Sequence, residues 1–162
     1  MADNEGPVVN LEWQRGKITA HLGVRAEAER VWQVLTAFEQ MPARLSGLKK
    51  SRVLAREDSR YLVEQKSRVR VPLLNISFGV LLEIEEDKPF LHFRQKHGSF
   101  ASFSGVWEVR PNSNGKGSII YYKLNVQMRR HPASWFEKLY LGKIIRQNLE
   151  ELAVWIEEEG AL

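Results

Sequence analysis

The fold is decided by one stretch near the C-terminus, SWFEKLYLGKIIRQNLEELAVWIEEEG, which runs from Ser134 to Gly160. Ser134 and Glu137 have the spacing of a capping box, and Gly160 suits the residue just past a helix end. Apolar or small residues recur every three or four positions, as on one face of an α-helix: Trp135, Leu139, Gly142, Ile145, Leu149, Leu152 and Ile156. The pattern predicts about 24 helical residues, which need a large apolar surface to pack against.

The segments upstream of this helix supply such a surface. Polar and apolar residues alternate over Lys17–Val24, which predicts a half-buried strand. Helices are predicted over Glu27–Thr36 and Phe38–Leu45, the second of them bent by Pro42. Turn signals then separate six more strands, predicted near 48–56, 60–71, 76–86, 90–97, 101–110 and 117–128.

The order of these elements predicts an α+β fold. Short connections between successive strands indicate antiparallel pairing. We therefore expect a curved, seven-stranded antiparallel sheet wrapped around a long C-terminal helix, with two short helices after the first strand. The 162 residues are expected to form a single domain over 1–162, with the polar and acidic segment 1–12 as a candidate disordered region.

Two short motifs resemble a known family. The segment Val31–Pro42, VWQVLTAFEQMP, is similar to the first-helix segment V-W-x-V-L-T-D-F-E-x-x-P of the START-related, polyketide cyclase and dehydratase superfamily. Lys50–Leu54, KSRVL, resembles the start of the second strand in the coenzyme Q-binding branch of that superfamily. The resemblance implies the helix-grip fold, with an internal ligand cavity between the sheet and the long helix.

Composition excludes several classes of chemistry. The chain has no cysteine, so disulfides, thiolate catalysis and cysteine-ligated zinc are ruled out. Its four histidines show no metal-ligand spacing, and no nucleotide-binding loop or nucleophile elbow is present. We therefore predict neither a metal site nor a cofactor. No apolar run reaches the length of a membrane span, and a cytoplasmic location is the default expectation.

The predicted inner face of the sheet is apolar and aromatic, with a few polar exceptions. These exceptions are Ser51, Gln65, Ser67, Gln95 and His97. An unpaired buried polar group costs about 1–3 kcal/mol, so each needs an internal partner or a ligand. The alternative is that they lie at strand ends, satisfied by water or backbone. For His97, one residue before the Gly98 turn, an exposed position at the rim is favoured.

The first functional hypothesis is a non-catalytic binder or carrier of a hydrophobic small molecule, such as an isoprenoid quinone, a lipid or a polyketide-like compound. Apolar contact is predicted from Tyr61, Phe78, Phe93, Phe103, Trp107 and Tyr122. Gln65, Ser67, Gln95 and His97 are predicted to orient a polar head group. An apolar pocket with a few convergent polar groups is the usual form of a small-molecule site.

The aromatic residues at the start of the long helix have two interpretations. Trp135, Phe136 and Tyr140 lie on too many sides of the first helical turns to belong to a single buried stripe. Core packing of most of them is the simpler interpretation. The sharper hypothesis makes this region a lid over the ligand cavity that contacts a membrane peripherally, with Gly142 allowing the helix to bend.

Two further hypotheses concern other kinds of partner. A cyclase or dehydratase would use His97 or a tyrosine for proton transfer, but no Asp or Glu falls on the inner face, which favours binding over catalysis.

Net charge is +10 over residues 13–131 within a total of +4, so RNA or an anionic lipid surface is a candidate partner. The cationic residues near the outer sheet face are Lys49, Lys50, Arg52, Arg56, Lys66, Arg68, Arg70, Arg94 and Lys96. Because no aromatic residues interleave with them, a solvated face is favoured over nucleic-acid binding. The sequence leaves the oligomeric state open.

Overall fold

The structure is a computed structural model that describes residues 8–71, 74–129 and 140–158. The strands are β1 Asn10–Gln14, β2 Lys17–Val24, β3 Leu48–Glu57, β4 Arg60–Val71, β5 Leu74–Asp87, β6 Phe90–Gly98, β7 Phe100–Pro111 and β8 Ser118–Met128. The helices are α1 Ala28–Leu35, a 3-10 turn over Phe38–Gln40, α2 Met41–Arg44 and α3 Gly142–Glu157. The predicted α+β order of strand, two short helices, strands and C-terminal helix is confirmed.

All strands belong to one antiparallel sheet with the order β1-β2-β8-β7-β6-β5-β4-β3. From β3 to β8 each strand pairs with the next one along the chain, because short turns allow only antiparallel neighbours. The segment with α1 and α2 carries the chain from β2 to β3, at the far edge of the sheet. The predicted antiparallel sheet is confirmed, with eight strands instead of seven.

The additional strand is β1, which sequence analysis missed. A two-residue hairpin joins it to β2, with Gln14 paired to Lys17. Arg15 and Gly16 both have positive φ, 42° and 76°, as a type I′ turn requires. Arg-Gly is a weaker hairpin signal than Asn-Gly, and the five residues of β1 are too few to show a clear alternation of polar and apolar side chains. β1 begins at Asn10, within the segment 1–12, and residues 1–7 lie outside the described residues, so the expectation of disorder there stays a prediction.

The inner face of the sheet follows the predicted alternation most closely in β2 and β8. In β2 every second residue, from Ile18 to Val24, is buried. In β8 the same holds from Ser118 to Val126. These two strands are hydrogen-bonded neighbours, so their buried side chains form one continuous apolar surface beneath α3.

The long C-terminal helix occupies most of the described residues 140–158. Tyr140 and Leu141 form a turn of π-helix, and α3 begins at Gly142. The predicted helical segment 134–139, including the capping box, lies outside the described residues, as does Gly160. The change from π- to α-helical geometry falls at the glycine where a bend was predicted. None of the described helices is both long and apolar enough to span a bilayer.

The C-terminal half of α3 is fixed by Arg30 of α1. The Arg30 guanidinium donates hydrogen bonds to the carbonyl oxygens of Trp155, at 3.0 Å, and Ile156, at 3.1 Å. These carbonyls belong to the last turn, where i→i+4 partners run out, and the oxygen of Trp155 also accepts from the backbone amide of Glu158 at 3.2 Å. A cation there also complements the negative end of the helix dipole. Arg30 therefore couples α1 to the end of α3.

Arg30→Ala is expected to lower the free energy of unfolding by about 2 kcal/mol, because charged donors are lost from two terminal carbonyls. Urea denaturation of the purified protein measures this value. Arg25→Ala is the matched control, since among the residues that the structure describes Arg25 is engaged through its backbone amide, which donates to Glu157 Oε1 at 2.8 Å. Equal losses in the two variants would contradict the proposed role of Arg30.

Candidate ligand-binding cavity

A cavity of about 240 Å³ lies between the inner face of the sheet, α2 and α3. An engineered apolar cavity of about 150 Å³ holds benzene, so this volume accommodates a larger small molecule. The sheet lines it with Leu48, Gln65, Ser67, Val69, Phe78, Val80, Leu82, Ile84, Leu91, Phe93, Phe100, Phe103, Trp107, Tyr122, Leu124 and Met128. The helical side supplies Leu35, Phe38, Met41, Leu45, Leu141, Ile144, Ile145, Asn148, Leu149 and Leu152.

A continuous series of aromatic rings follows the cavity wall across the sheet. Its members, in spatial order, are Trp107, Tyr122, Phe93, Phe103, Phe100 and Phe78. Ring centroids of successive members are 4.3–6.1 Å apart, from 4.3 Å between Trp107 and Tyr122 to 6.1 Å between Tyr122 and Phe93. Such offset and tilted contacts are favourable for aromatic pairs. The wall therefore offers a flat or chain-like apolar molecule an extended contact surface.

The position of Phe93 in this series depends on Gly105 of β7. A Cβ atom at Gly105 would collide with the ring of Phe93 and with the backbone oxygen of Lys123. Phe93 and Gly105 are direct partners across β6 and β7. The missing side chain therefore leaves the space that the Phe93 ring occupies, and so helps to set the shape of the cavity wall.

Four polar side chains line the otherwise apolar cavity: Gln65, Ser67, Tyr122 and Asn148. The Gln65 amide nitrogen donates to Ser51 Oγ at 3.2 Å, so part of its hydrogen-bonding capacity is used internally. The side chains of Ser67, Tyr122 and Asn148 make no hydrogen bond within the part of the chain that the structure describes. Their polar atoms are therefore available to a molecule in the cavity.

Tyr122 is the titratable group of the described cavity wall. Burial raises the pKa of its phenol far above the ordinary value, because the charged phenolate would lose its hydration. The group thus stays protonated at physiological pH and presents a hydroxyl, which both donates and accepts hydrogen bonds. This is a group suited to binding a neutral polar atom.

Tyr61 and Gln95, two of the predicted ligand contacts, are absent from the described cavity lining and have internal partners. The Tyr61 hydroxyl lies 3.3 Å from Glu86 Oε2, and its ring packs edge-on against Phe38. Burial and the Glu86 charge raise the pKa of Tyr61, while Arg56 opposes this shift. The Gln95 amide bonds both backbone groups of Phe100, at 2.9 and 3.3 Å. The bonds of Gln95 to the backbone agree with the alternative of internal satisfaction that the sequence left open for this residue.

His97 is exposed and does not line the cavity. A β-bulge explains the difference from its predicted inward direction. Leu81 pairs with His97 whereas Leu82 pairs with Gln95, so Lys96 is an extra residue on β6. The extra residue breaks the alternation that assigned His97 to the inner face. The expectation of an exposed rim histidine agrees with this placement.

The remaining predicted contacts divide into three groups. Trp135 and Phe136 lie outside the described residues, so the lid hypothesis stays a prediction. Tyr140 is half-buried in the π-helical turn and is absent from the described cavity lining, although its neighbour Leu141 is part of it. The seven that do line the cavity are Gln65, Ser67, Phe78, Phe93, Phe103, Trp107 and Tyr122.

Sequence analysis missed two cavity residues of chemical interest. Phe100 follows the Gly98-Ser99 turn and was placed before the strand, whereas β7 begins with it. Asn148 interrupts an apolar stripe of α3, one helical turn after Ile144 and one before Leu152. A polar residue at that spacing was the available signal, because it places an amide on the buried face of the helix.

The cationic residues predicted on or near the outer sheet face are exposed, except for the half-buried Lys50. Several of them have acidic partners. Lys50 pairs with Glu64 at 2.6 Å, and Glu83 lies 3.0 Å from Arg94 and 3.9 Å from Lys96. Pairing reduces the charge that this face presents to an anionic partner. Among the described residues, no three His, Asp or Glu side chains are grouped closely enough to hold a metal ion.

Sequence comparison matches residues 24–153 to the family described as polyketide cyclase / dehydrase and lipid transport. The chain belongs to this family. The match extends from the end of β2 through most of α3, so it includes nearly all of the described cavity wall. The resemblance in the Val31–Pro42 segment is thereby confirmed at the level of the superfamily. No curated protein sequence matches the chain.

Solved structures in the same fold class include a START superfamily protein from Mycobacterium smegmatis, with a TM-score of 0.74 and 17% identity over 87% of this chain and 97% of that chain. The STAR-related lipid transfer protein from Xanthomonas axonopodis has a TM-score of 0.74 and 14% identity, over 98% of this chain and 97% of that one. The Zhui aromatase/cyclase from a Streptomyces species has a TM-score of 0.71 and 13% identity, over 87% and 93%. These similarities show the helix-grip fold.

Proposed function

We propose that this member of the family binds a neutral, hydrophobic small molecule in the cavity beneath α3 and acts as its carrier. The observation that carries the proposal is an apolar cavity of about 240 Å³ whose few polar groups have open hydrogen-bonding capacity. An isoprenoid quinone, a lipid or a polyketide-like compound fits this description. The lipid transfer protein among the similar structures supports a carrier role by analogy of fold.

The composition of the cavity wall favours a neutral ligand. Within the described lining, no Asp, Glu, Lys, Arg or His side chain is present. An ion transferred from water into such a site would lose its hydration without gaining a counter-charge, at a cost of several kcal/mol. A neutral molecule incurs no such cost. The cavity therefore selects against carboxylates and ammonium groups.

Binding is favoured over cyclase-type catalysis for a related reason. General acid–base catalysis requires a group whose pKa lies near the operating pH. Tyr122 is the titratable group on the described wall, and burial moves the pKa of its phenol away from that range. His97, the other candidate in the catalytic hypothesis, is exposed on the sheet. The aromatase/cyclase among the similar structures keeps catalysis as the second hypothesis.

Three probes with one apolar body test the proposal: naphthalene, 2-naphthol and 2-naphthoate. Titration calorimetry at about pH 7 is expected to show binding of the first two. The affinity for the ionised naphthoate is expected to be at least about 30-fold lower, because its charge must be desolvated. Mass spectrometry of an organic extract of the purified protein would then identify a co-purified ligand.

Two results would count against this function. Tighter binding of naphthoate than of naphthalene would contradict a neutral ligand. Failure of all three probes to bind, together with an extract free of small molecules, would contradict a binding cavity. Turnover of a polyketide-like substrate that is lost in Tyr122→Phe would instead favour the cyclase hypothesis.

A further inference from the structure

We propose that Ser67 and Asn148 form a head-group clamp, which holds a hydroxyl or carbonyl oxygen of the ligand at one end of the cavity. The proposal rests on the binding function argued above and adds to it the orientation and chemical class of the bound molecule. Ser67 lies on β4 and Asn148 on α3, so the clamp would join the sheet to the helix through the ligand.

Register and proximity place the two side chains at the same end of the cavity. Ser67 is the direct partner of Leu48 across β3 and β4. A Cβ atom at Gly47 would lie 3.6 Å from Asn148 Oδ1. The amide of Asn148 is therefore beside Gly47, which directly precedes Leu48. Ser67 and Asn148 therefore flank the same dipeptide, and both line the cavity.

The hydrogen-bonding capacity of both side chains is open. The Ser67 hydroxyl and the Asn148 amide make no hydrogen bond within the described ranges 8–71, 74–129 and 140–158. Gln65, two residues from Ser67 on the same strand face, is partly engaged with Ser51. Both side chains are half-buried, so water in the cavity can reach their polar atoms. A ligand oxygen between Ser67 and Asn148 would take the place of that water.

The chemistry of the pair specifies a neutral head. A serine hydroxyl donates one hydrogen bond, and an asparagine amide offers two donors and one acceptor. Together they match a carbonyl, which accepts from both, or a hydroxyl, which donates to the amide oxygen and accepts from the serine. Neither side chain supplies the positive charge that a carboxylate or phosphate requires.

The aromatic series begins beside this clamp. Phe78 is the direct partner of Ser67 across β4 and β5, and its ring stacks on Phe100 at a centroid separation of 5.2 Å. The ring of Phe100 in turn stacks on Phe103 at 5.0 Å. A molecule whose oxygen is held by the clamp would extend its apolar body along these rings. The ligand is thus expected to be an elongated or flat apolar molecule with one terminal hydroxyl or carbonyl group.

The test compares 2-naphthol with naphthalene by titration calorimetry in the wild-type protein and in Ser67→Ala/Asn148→Ala. We expect the wild-type protein to prefer 2-naphthol by about tenfold, and the variant to lose most of this preference while still binding naphthalene. Alanine is favourable inside a helix, so Asn148→Ala is compatible with folding. Each single substitution serves as a second test of the same preference.

Ser77→Ala/Asn125→Ala is the matched control, because it removes the same two groups from exposed positions of β5 and β8. Its preference is expected to equal that of the wild-type protein. The clamp is overturned if both probes bind and the preference is unchanged in Ser67→Ala/Asn148→Ala, or if Tyr122→Phe alone removes it. Failure of both probes to bind the wild-type protein would overturn the binding function itself.

Discussion

Val80→Trp is expected to lower the affinity for naphthalene and 2-naphthol by about 100-fold or more. Val80 is half-buried on β5 and lines the cavity, two residues from Phe78 on the same face. An indole ring at this position would occupy much of the 240 Å³ that a ligand needs. Most of the apolar contact area, worth about 25 cal/mol per Å², would then be unavailable to the probe.

The matched control is Val154→Trp, which introduces the same ring on the exposed face of α3, where Val154 is 58% accessible. It is expected to leave both affinities unchanged. Val80→Phe, with a smaller ring, should give an intermediate loss of affinity. Overpacking of a filled core usually lowers the free energy of unfolding by about 1–3 kcal/mol. The loss in Val80→Trp should be smaller, because the added atoms enter existing space. Unchanged probe binding in Val80→Trp would place the binding site elsewhere.

The elements predicted correctly from sequence are those in which one physical signal dominates. Alternation over β2 and β8 is strict, because each strand has one buried and one solvated face. The α3 stripe likewise follows helical periodicity from Ile145 to Ile156. These patterns define the sheet, the helix and the face of each that meets the other, which is enough to specify an α+β fold.

Features that depend on backbone irregularity were predicted less well. The extra residue Lys96 in β6 turns His97 away from the cavity, and no simple composition rule marks a bulge. The Arg15-Gly16 turn adds β1 without a strong hairpin signal. Both depend on the φ and ψ angles of one or two residues, which alternation of side-chain polarity does not encode.

The shape of the cavity was also predicted less well, because its volume depends on contacts between residues far apart in sequence. Whether Phe93 fills the interior or lies against the wall depends on the absent side chain of Gly105, on the neighbouring strand. Asn148 becomes a cavity residue through its approach to Gly47, about a hundred positions earlier in the chain. The family resemblance implied a cavity, but the residues that shape it follow from packing.

Trp155→Ala is expected to lower the free energy of unfolding by about 3–5 kcal/mol, the largest stability loss among the changes considered. Trp155 is 1% exposed and is among the largest fully buried side chains. It lies in the C-terminal half of α3, whose last carbonyls are held by Arg30, and the Arg44 guanidinium lies 5.8 Å from its ring centroid. Its removal leaves a void at the junction of α3 with the first helices. Urea denaturation measures the loss.

Trp155→Phe separates packing from polarity at the same position. The indole Nε1 of Trp155 is buried and has no hydrogen-bond partner within the described part of the chain. Phenylalanine keeps most of the apolar contact and removes this unpaired donor. The free energy of unfolding should therefore fall much less in Trp155→Phe than in Trp155→Ala. Because Trp155 is absent from the described cavity lining, the folded fraction of either variant should bind naphthalene with near wild-type affinity. A selective loss of probe binding in Trp155→Phe, with the free energy of unfolding unchanged, would contradict the position of Trp155 outside the described cavity lining.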